Sequence, residues 1–260
     1  MKMIESARKT LMAAAVLLLV SAGIQNSATA QNNSENEPML LSITEFHVKM
    51  GESMAFEEGV KVWKDCYLGN EGEWTWNVWD RINGEGSVYY LTSYSAGWAE
   101  MDRQDAAGMN CYRQARELIM PNVEKAVDHF AYTLPGWSMT PSGDQNTVAD
   151  VTYFRVKDYP LFNELASTVM NIIEEETGSK RTLWFRAAAG EPDGFHYMNV
   201  YLYENMAAMD EPMDSAWQIV EAAEGEERMR ELQDDYKNSV ENSWTYILRL
   251  KEDLSHSGNE

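Results

Sequence analysis

Glu45 and His47 stand two residues apart in a β-rich segment, and Tyr153 and Arg155 stand in the same relation further on. In a strand, residues two apart share a face, so each pair would project into one space. An imidazole beside a carboxylate can act as a general base. A guanidinium can hold a carboxylate or an enolate through parallel N–H donors. Tyr197, Asn199 and Tyr201 join the same space if Met198, Val200 and Leu202, which alternate with them, face the other way. The set Glu45, His47, Tyr153, Arg155, Tyr197, Asn199 and Tyr201 is therefore a candidate ligand site, with His47 as base, Arg155 as anion holder and Tyr197 as orienting donor. The same residues have a second reading. They could form a satisfied polar network, Glu45 with Arg155 and His47 with a tyrosine hydroxyl, because structural ion pairs occupy such places as readily as active sites do.

Other chemistry is poorly supported. His47, His129, His196 and His256 are scattered, without HxxxH, HExxH or CxxC spacing, so no metal site is expected. His196 shares the alternation phase of Met198 and is expected to pack toward helices. The methionines, including Met101, Met109, Met206, Met209 and Met213, read as core filling rather than as copper ligands. The tryptophans read as packing residues, and Glu174, Glu175 and Glu176 as a solvated helix end. No nucleophile elbow, phosphate loop or calcium loop is present, and no fixed cofactor is expected.

The elements that must position these groups come twice. Residues 43–49 (ITEFHVK) reappear as 151–157 (VTYFRVK), and residues 89–102 realign with 197–210, both at an offset of 108. Alternation, helical spacing and turn signals divide the first copy into β-α-β-β-α-β. Its strands are expected at 40–48, 74–82, 87–94 and 128–134, with Asn83-Gly84 as a hairpin turn. Its helices are expected at 52–68 and 110–127, the latter interrupted near Pro121. The second copy repeats the order, with strands at 148–156, 181–188, 195–203 and 244–250 and helices at 161–176 and 215–239, the last broken near Gly225. The predicted divisions are 1–30, a leader; 31–38, a polar lead-in; 39–136, the first unit; 137–146, a linker; 147–252, the second unit; and 253–260, a flexible tail, with residues 255–260 reading as loose.

Each unit has the order of a ferredoxin-like split βαβ, an antiparallel sheet with two helices on one face. The strands carry apolar or aromatic residues at both alternation phases, whereas a solvated sheet face would read polar. The bare sheet faces must therefore cover one another. The predicted class is α+β: two tandem ferredoxin-like βαββαβ units packed sheet to sheet as an intramolecular pseudo-dimer. Over about residues 39–252 this order resembles the dimeric α+β barrel superfamily, which includes antibiotic-biosynthesis-type monooxygenases, haem-degrading monooxygenases and NIPSNAP-like proteins. The resemblance implies central first and third strands in each sheet, hence deep positions for Glu45, His47, Tyr153 and Arg155. It also implies antiparallel helices within a unit, which brings Cys66 and Cys111 to the same end. These two are the only cysteines, and they are expected to form a disulfide, with two buried thiols as the alternative. Haem-degrading relatives use a histidine on a helix with Asn and Trp in the pocket. His129, at a predicted helix–strand junction, does not match that pattern, so haem chemistry is not carried over.

Lys2, Arg8 and Lys9, the apolar run 11–20 and Ala28-Thr29-Ala30 read as a signal peptide cleaved before Gln31. The run is shorter than the roughly 20 residues a membrane span needs, so the product is expected to be exported, periplasmic or extracellular. The formal net charge of −21 argues against nucleic-acid partners and anionic lipid surfaces. The resulting expectation is an exported monomer that binds a small aromatic or carbonyl-bearing molecule. A cofactor-independent monooxygenase or isomerase, and a structural or stress protein with a filled core, are the alternatives.

Overall fold

The computed structural model describes residues 37–140 and 146–258; the leader and most of the lead-in lie outside them. Strand β1 (Leu40–Val48) leads into α1 (Ser53–Gly69). The hairpin of β2 (Asn77–Arg81) and β3 (Ser87–Ser95) follows, and then a broken helical segment and β4 (Val123–Thr133). The second unit runs β5 (Val148–Val156), α4 (Tyr159–Thr177), β6 (Leu183–Ala189), β7 (Tyr197–Tyr203), α5 (Ala216–Glu224), α6 (Glu226–Ser239) and β8 (Val240–Leu250). The broken segment contains α2 (Ala106–Asn110), α3 (Tyr112–Gln114), a π turn over Ala115–Ile119 and a 3-10 turn over Met120–Asn122.

The eight strands close into a single antiparallel barrel in the order β1-β3-β2-β8-β5-β7-β6-β4. The first and third strands are central in each unit, and the units join at two seams, β2 with β8 and β4 with β6. Among the described residues, closure leaves no barrel strand at a sheet edge. The helices cover the outside. One apolar core lies between α1 and its sheet, built on Phe56, Val60, Tyr67 and Trp76. A second lies beneath α4, α5 and α6, built on Phe162, Ile173, Val220 and Leu232. A third fills the middle of the barrel with Ile43, Tyr90, Val151, Tyr153, Phe185 and Met198.

Local chemistry explains most element ends. Asp158 caps α4 by accepting from Leu161 N–H, and Gly178 (φ +79°) closes it in the left-handed conformation. Ser215 and Gln218 form a reciprocal capping box at α5, and Gly225 (φ +90°) separates α5 from α6 where the sequence marks a break. Cys66 and Cys111 form the expected disulfide, with Cα atoms 5.9 Å apart.

Three expectations about elements are corrected. The helix expected over 110–127 stops before Val123, because Pro121 has no N–H to continue it and 123–133 pairs along β1. The strand expected over 74–82 pairs with β3 and β8 only from Asn77. Trp76 instead exchanges two backbone hydrogen bonds with His256, each 2.9 Å. The loose tail is the third correction: Leu254, Ser255 and His256 are buried beside Trp76 and Val78. The tail's polar sequence hides this, since its backbone and Ser255 supply the hydrogen bonds while one leucine is buried.

Candidate functional site

Antiparallel pairing sets the two ends of the barrel. One end gathers the C-terminal ends of β1, β2, β5 and β6 and the N-terminal ends of β3, β4, β7 and β8. Glu45, His47 and Arg155 all reach this end. The Glu45 carboxylate lies 2.8 Å from His47 Nε2, with the two side chains 18% and 36% exposed. Neither partner of the anticipated network is used: Glu45 pairs with His47 rather than Arg155, and the Arg155 guanidinium donates to the Asp193 carbonyl. The reason is reach. Glu45 and His47 are neighbours on one strand, whereas Arg155 belongs to β5 and lies beside the β6–β7 loop.

Tyr153 lies deeper. It stacks on Trp244 (centroids 5.5 Å apart) and contacts Phe195 and Tyr246. Burial raises its phenol well above the usual value, and Tyr90 and Glu45 nearby push the same way. Tyr90 is raised by burial and by the Glu45 charge, with Arg81 opposing. These phenols favour the folded state in their neutral form, so their contribution is present below the ordinary tyrosine pKa and fades as pH rises above about 10. Absorbance titration should show interior tyrosines still neutral when exposed ones have ionised, and simultaneous ionisation of all tyrosines would contradict this burial.

Tyr197, Asn199 and Tyr201 are not part of this space, and the condition on which they were included fails. Residues paired across antiparallel strands share a face. Tyr153 pairs with Met198, and Phe154 pairs with Tyr197. Met198 and Val200 therefore point into the barrel, while Tyr197 points out against Phe162. Tyr197 O–H donates to Asn163 Oδ1 at 2.8 Å. Tyr89, its repeat mate, donates in the same way to Glu57 Oε1 at 2.8 Å. Both tyrosines tie a central strand to the helix outside it. Tyr197→Phe should therefore cost about 1 kcal/mol of stability and leave ligand binding at the mouth intact; loss of binding at unchanged stability would reverse that assignment. His196 lies against Tyr159 of α4, as expected, although Met198 points inward. The difference arises just before β7, where the alternation is interrupted: Phe195 packs inward and His196 N–H donates to Phe154 O.

Space also opens at this end where the parity argument does not point. A pocket of about 170 Å³ opens at the β4–β6 seam, lined by His129, Ala187, Ala189, Gly190, Glu191, Phe195 and His196. His129 pairs with Ile43, so it shares the face that points into the barrel, and its ring meets Phe195 with centroids 5.7 Å apart. The β6–β7 loop forms the outer wall. It is held by Lys125 Nζ to Glu191 Oε1 at 2.9 Å and by Arg155 to the Asp193 carbonyl. Lys125 keeps the Glu191 carboxyl below its usual value. Gly190 leaves room for the His129 ring beside that wall, since a Cβ there would stand 2.6 Å from His129 Nδ1.

Solved structures with this architecture include a putative monooxygenase from Lactobacillus acidophilus NCFM, at 12% identity and a TM-score of 0.53, covering 82% of this chain and 94% of that one. An anthrone oxidase-like protein is similar at 9% identity and a TM-score of 0.50, covering 85% and 94%. The chain has the dimeric α+β barrel fold. Here both halves of that barrel belong to one chain. At these identities the likeness extends to the fold alone, since one scaffold serves many chemistries. No protein-family model matches the chain, and no curated protein matches it by sequence.

The site does not suit a haem. His129 is in a strand, and the pocket is smaller than the roughly 300–1,000 Å³ typical of sites for drug-sized ligands. Among the described residues, no three His, Cys, Asp or Glu side chains gather as a metal centre, and no helix is long and apolar enough to cross a membrane.

In the sequence His129 stands apart from the other histidines and at a predicted helix–strand junction, so it gives no sign of a site. Ala187 and Gly190 carry no chemistry and give no signal. The alternation of Val127, His129 and Ala131 was the one available clue.

Proposed function

We propose that this is an exported protein that binds a small aromatic or carbonyl-bearing molecule at the β4–β6 seam of its barrel. The observation that carries the reading is the pocket itself: about 170 Å³, with Phe195 and alanines on its walls and His129 and Glu191 as polar groups. A cavity of about 150 Å³ accommodates benzene, so the ligand is of single-ring size. A few polar groups in an otherwise apolar cleft suit recognition of such a molecule. The Cys66–Cys111 disulfide is consistent with export.

Gly190→Ala tests the site. The substitution needs no left-handed backbone, but the added Cβ would meet His129 Nδ1 at 2.6 Å, so the ring that lines the pocket must shift. Titration with benzamide, a ring that carries a carbonyl, should give heat of binding with the natural chain and at least a tenfold weaker affinity with Gly190→Ala, at little cost in melting temperature. Equal affinities would place the bound ring elsewhere.

The Glu45–His47 pair favours a second reading, a cofactor-independent oxygenase or isomerase. A carboxylate 2.8 Å from an imidazole can orient it as a base, and Arg155 lies at the same end of the barrel to stabilise an enolate. Exchange of the α-proton of an enolisable cyclic ketone in D2O, followed by NMR, tests this. His47→Ala should abolish exchange and spare binding, whereas exchange that persists would leave only the binding role. The filled middle of the barrel suits a structural role, but that role leaves the pocket at its mouth unexplained.

A further inference from the structure

The two seams of the barrel are related by the internal repeat, yet they are finished differently. Ile43 pairs with His129, and its repeat mate Val151 pairs with Tyr246. His129 and Tyr246 therefore hold equivalent places. Leu41 pairs with Ala131, which faces Ala187 across the β4–β6 seam. Its repeat mate Ala149 pairs with Leu248, which faces Arg81 across the β2–β8 seam. Ala187 and Arg81 are thus equivalent too.

At the β2–β8 seam this place is filled. Arg81 is only 9% exposed, and its guanidinium carbon lies 4.6 Å from the centroid of the Tyr246 ring. The head also donates to the Glu85 carbonyl. At the β4–β6 seam the arginine is replaced by Ala187 and the tyrosine by His129, and the space between them is the pocket. An acidic residue is retained in the loop: Glu191 follows Ala187 by as many residues as Glu85 follows Arg81. Of the nearby cations, His47 pairs with Glu45 and Arg155 with the Asp193 carbonyl, while Lys125 engages only Oε1 of Glu191, which leaves the second carboxylate oxygen for a ligand N–H. A chain of net charge −21 also attracts cations from solution.

We propose that the pocket receives a planar amidinium or guanidinium head, stacked on the His129 ring and met by the Glu191 carboxylate, as Arg81 is stacked on Tyr246. A flat cation on an aromatic face is a favourable arrangement, and a carboxylate suits the N–H donors of an amidinium. This inference rests on the small-molecule reading above and narrows its chemical class.

The experiment compares benzamidine with benzamide, which have nearly the same shape and differ in charge, by calorimetry on the full chain at about pH 8. Benzamidine is expected to bind at least tenfold more tightly, the scale of one charge-assisted contact. Glu191→Gln should remove that preference, bringing the affinities of benzamidine and benzamide together. Ala187→Arg, which supplies the chain's own guanidinium, should abolish binding of both. If benzamide binds as well as benzamidine and both are lost in Ala187→Arg, the cationic class is overturned while the pocket stands. If neither compound binds, or if Ala187→Arg folds and leaves binding unchanged, the pocket reading fails and this inference with it.

Discussion

Replacing Cys66 and Cys111 with serine is expected to lower the unfolding free energy by about 4 kcal/mol. The bridge closes a loop with a sequence separation of 45, and in the chain-entropy model a loop of that length contributes about this much by restricting the unfolded chain. The effect is concentrated where the fold is weakest. Between β3 and β4 the chain forms only short helical pieces, α2, α3, a π turn and a 3-10 turn. Such pieces are too short to be stable alone, and Cys111, fully buried between α2 and α3, anchors them to the end of α1. Urea unfolding of the natural and double-serine chains would measure the difference. Coincident curves would show that packing alone holds the segment.

Ending the chain at Lys251 is expected to be at least as damaging, on the order of 5 kcal/mol. Leu254 is completely buried, and loss of a buried leucine costs about 2–5 kcal/mol. The deletion also strands several donors. Trp76 Nε1 donates to the Leu254 carbonyl at 2.8 Å, Val78 N–H to Ser255 Oγ at 2.8 Å, and Trp76 N–H to the His256 carbonyl at 2.9 Å. Each buried donor left without a partner adds about 1–3 kcal/mol. Since a domain of this kind is stable by only about 5–15 kcal/mol, the shortened chain would be partly unfolded. Trp76 stands within a cluster that includes Trp63 and Trp74, so its exposure should shift tryptophan emission to the red. Leu254→Ala should reproduce the cavity component alone. Natural stability in the shortened chain would mean that the tail contributes nothing.

The phase of the alternation shows how far the sequence could be read. In β1 and β5, Phe46, Val48, Phe154 and Val156 separate cleanly from the polar or mixed residues between them, and these four side chains do pack against helices. In β3 and β7 the two phases are nearly equal in character: Tyr89 and Leu91 against Val88 and Tyr90, Tyr197 and Tyr201 against Met198 and Val200. A strand apolar on both faces shows its period but not its phase. Only the pairing of Tyr153 with Met198 put Met198 inside and Tyr197 outside.

By itself, the sequence determined the element order, the 108-residue repeat and the need for two sheets to cover one another. These follow from local propensity, alternation and composition, which each stretch of chain carries independently. The tertiary structure alone decided where the space is. The seams join strands far apart in sequence, β2 with β8 and β4 with β6. Only after closure do Arg81 and Ala187 hold equivalent places, one filled and one open. A cavity belongs to several strands at once, and an alanine in one of them signals nothing until its partners are in position.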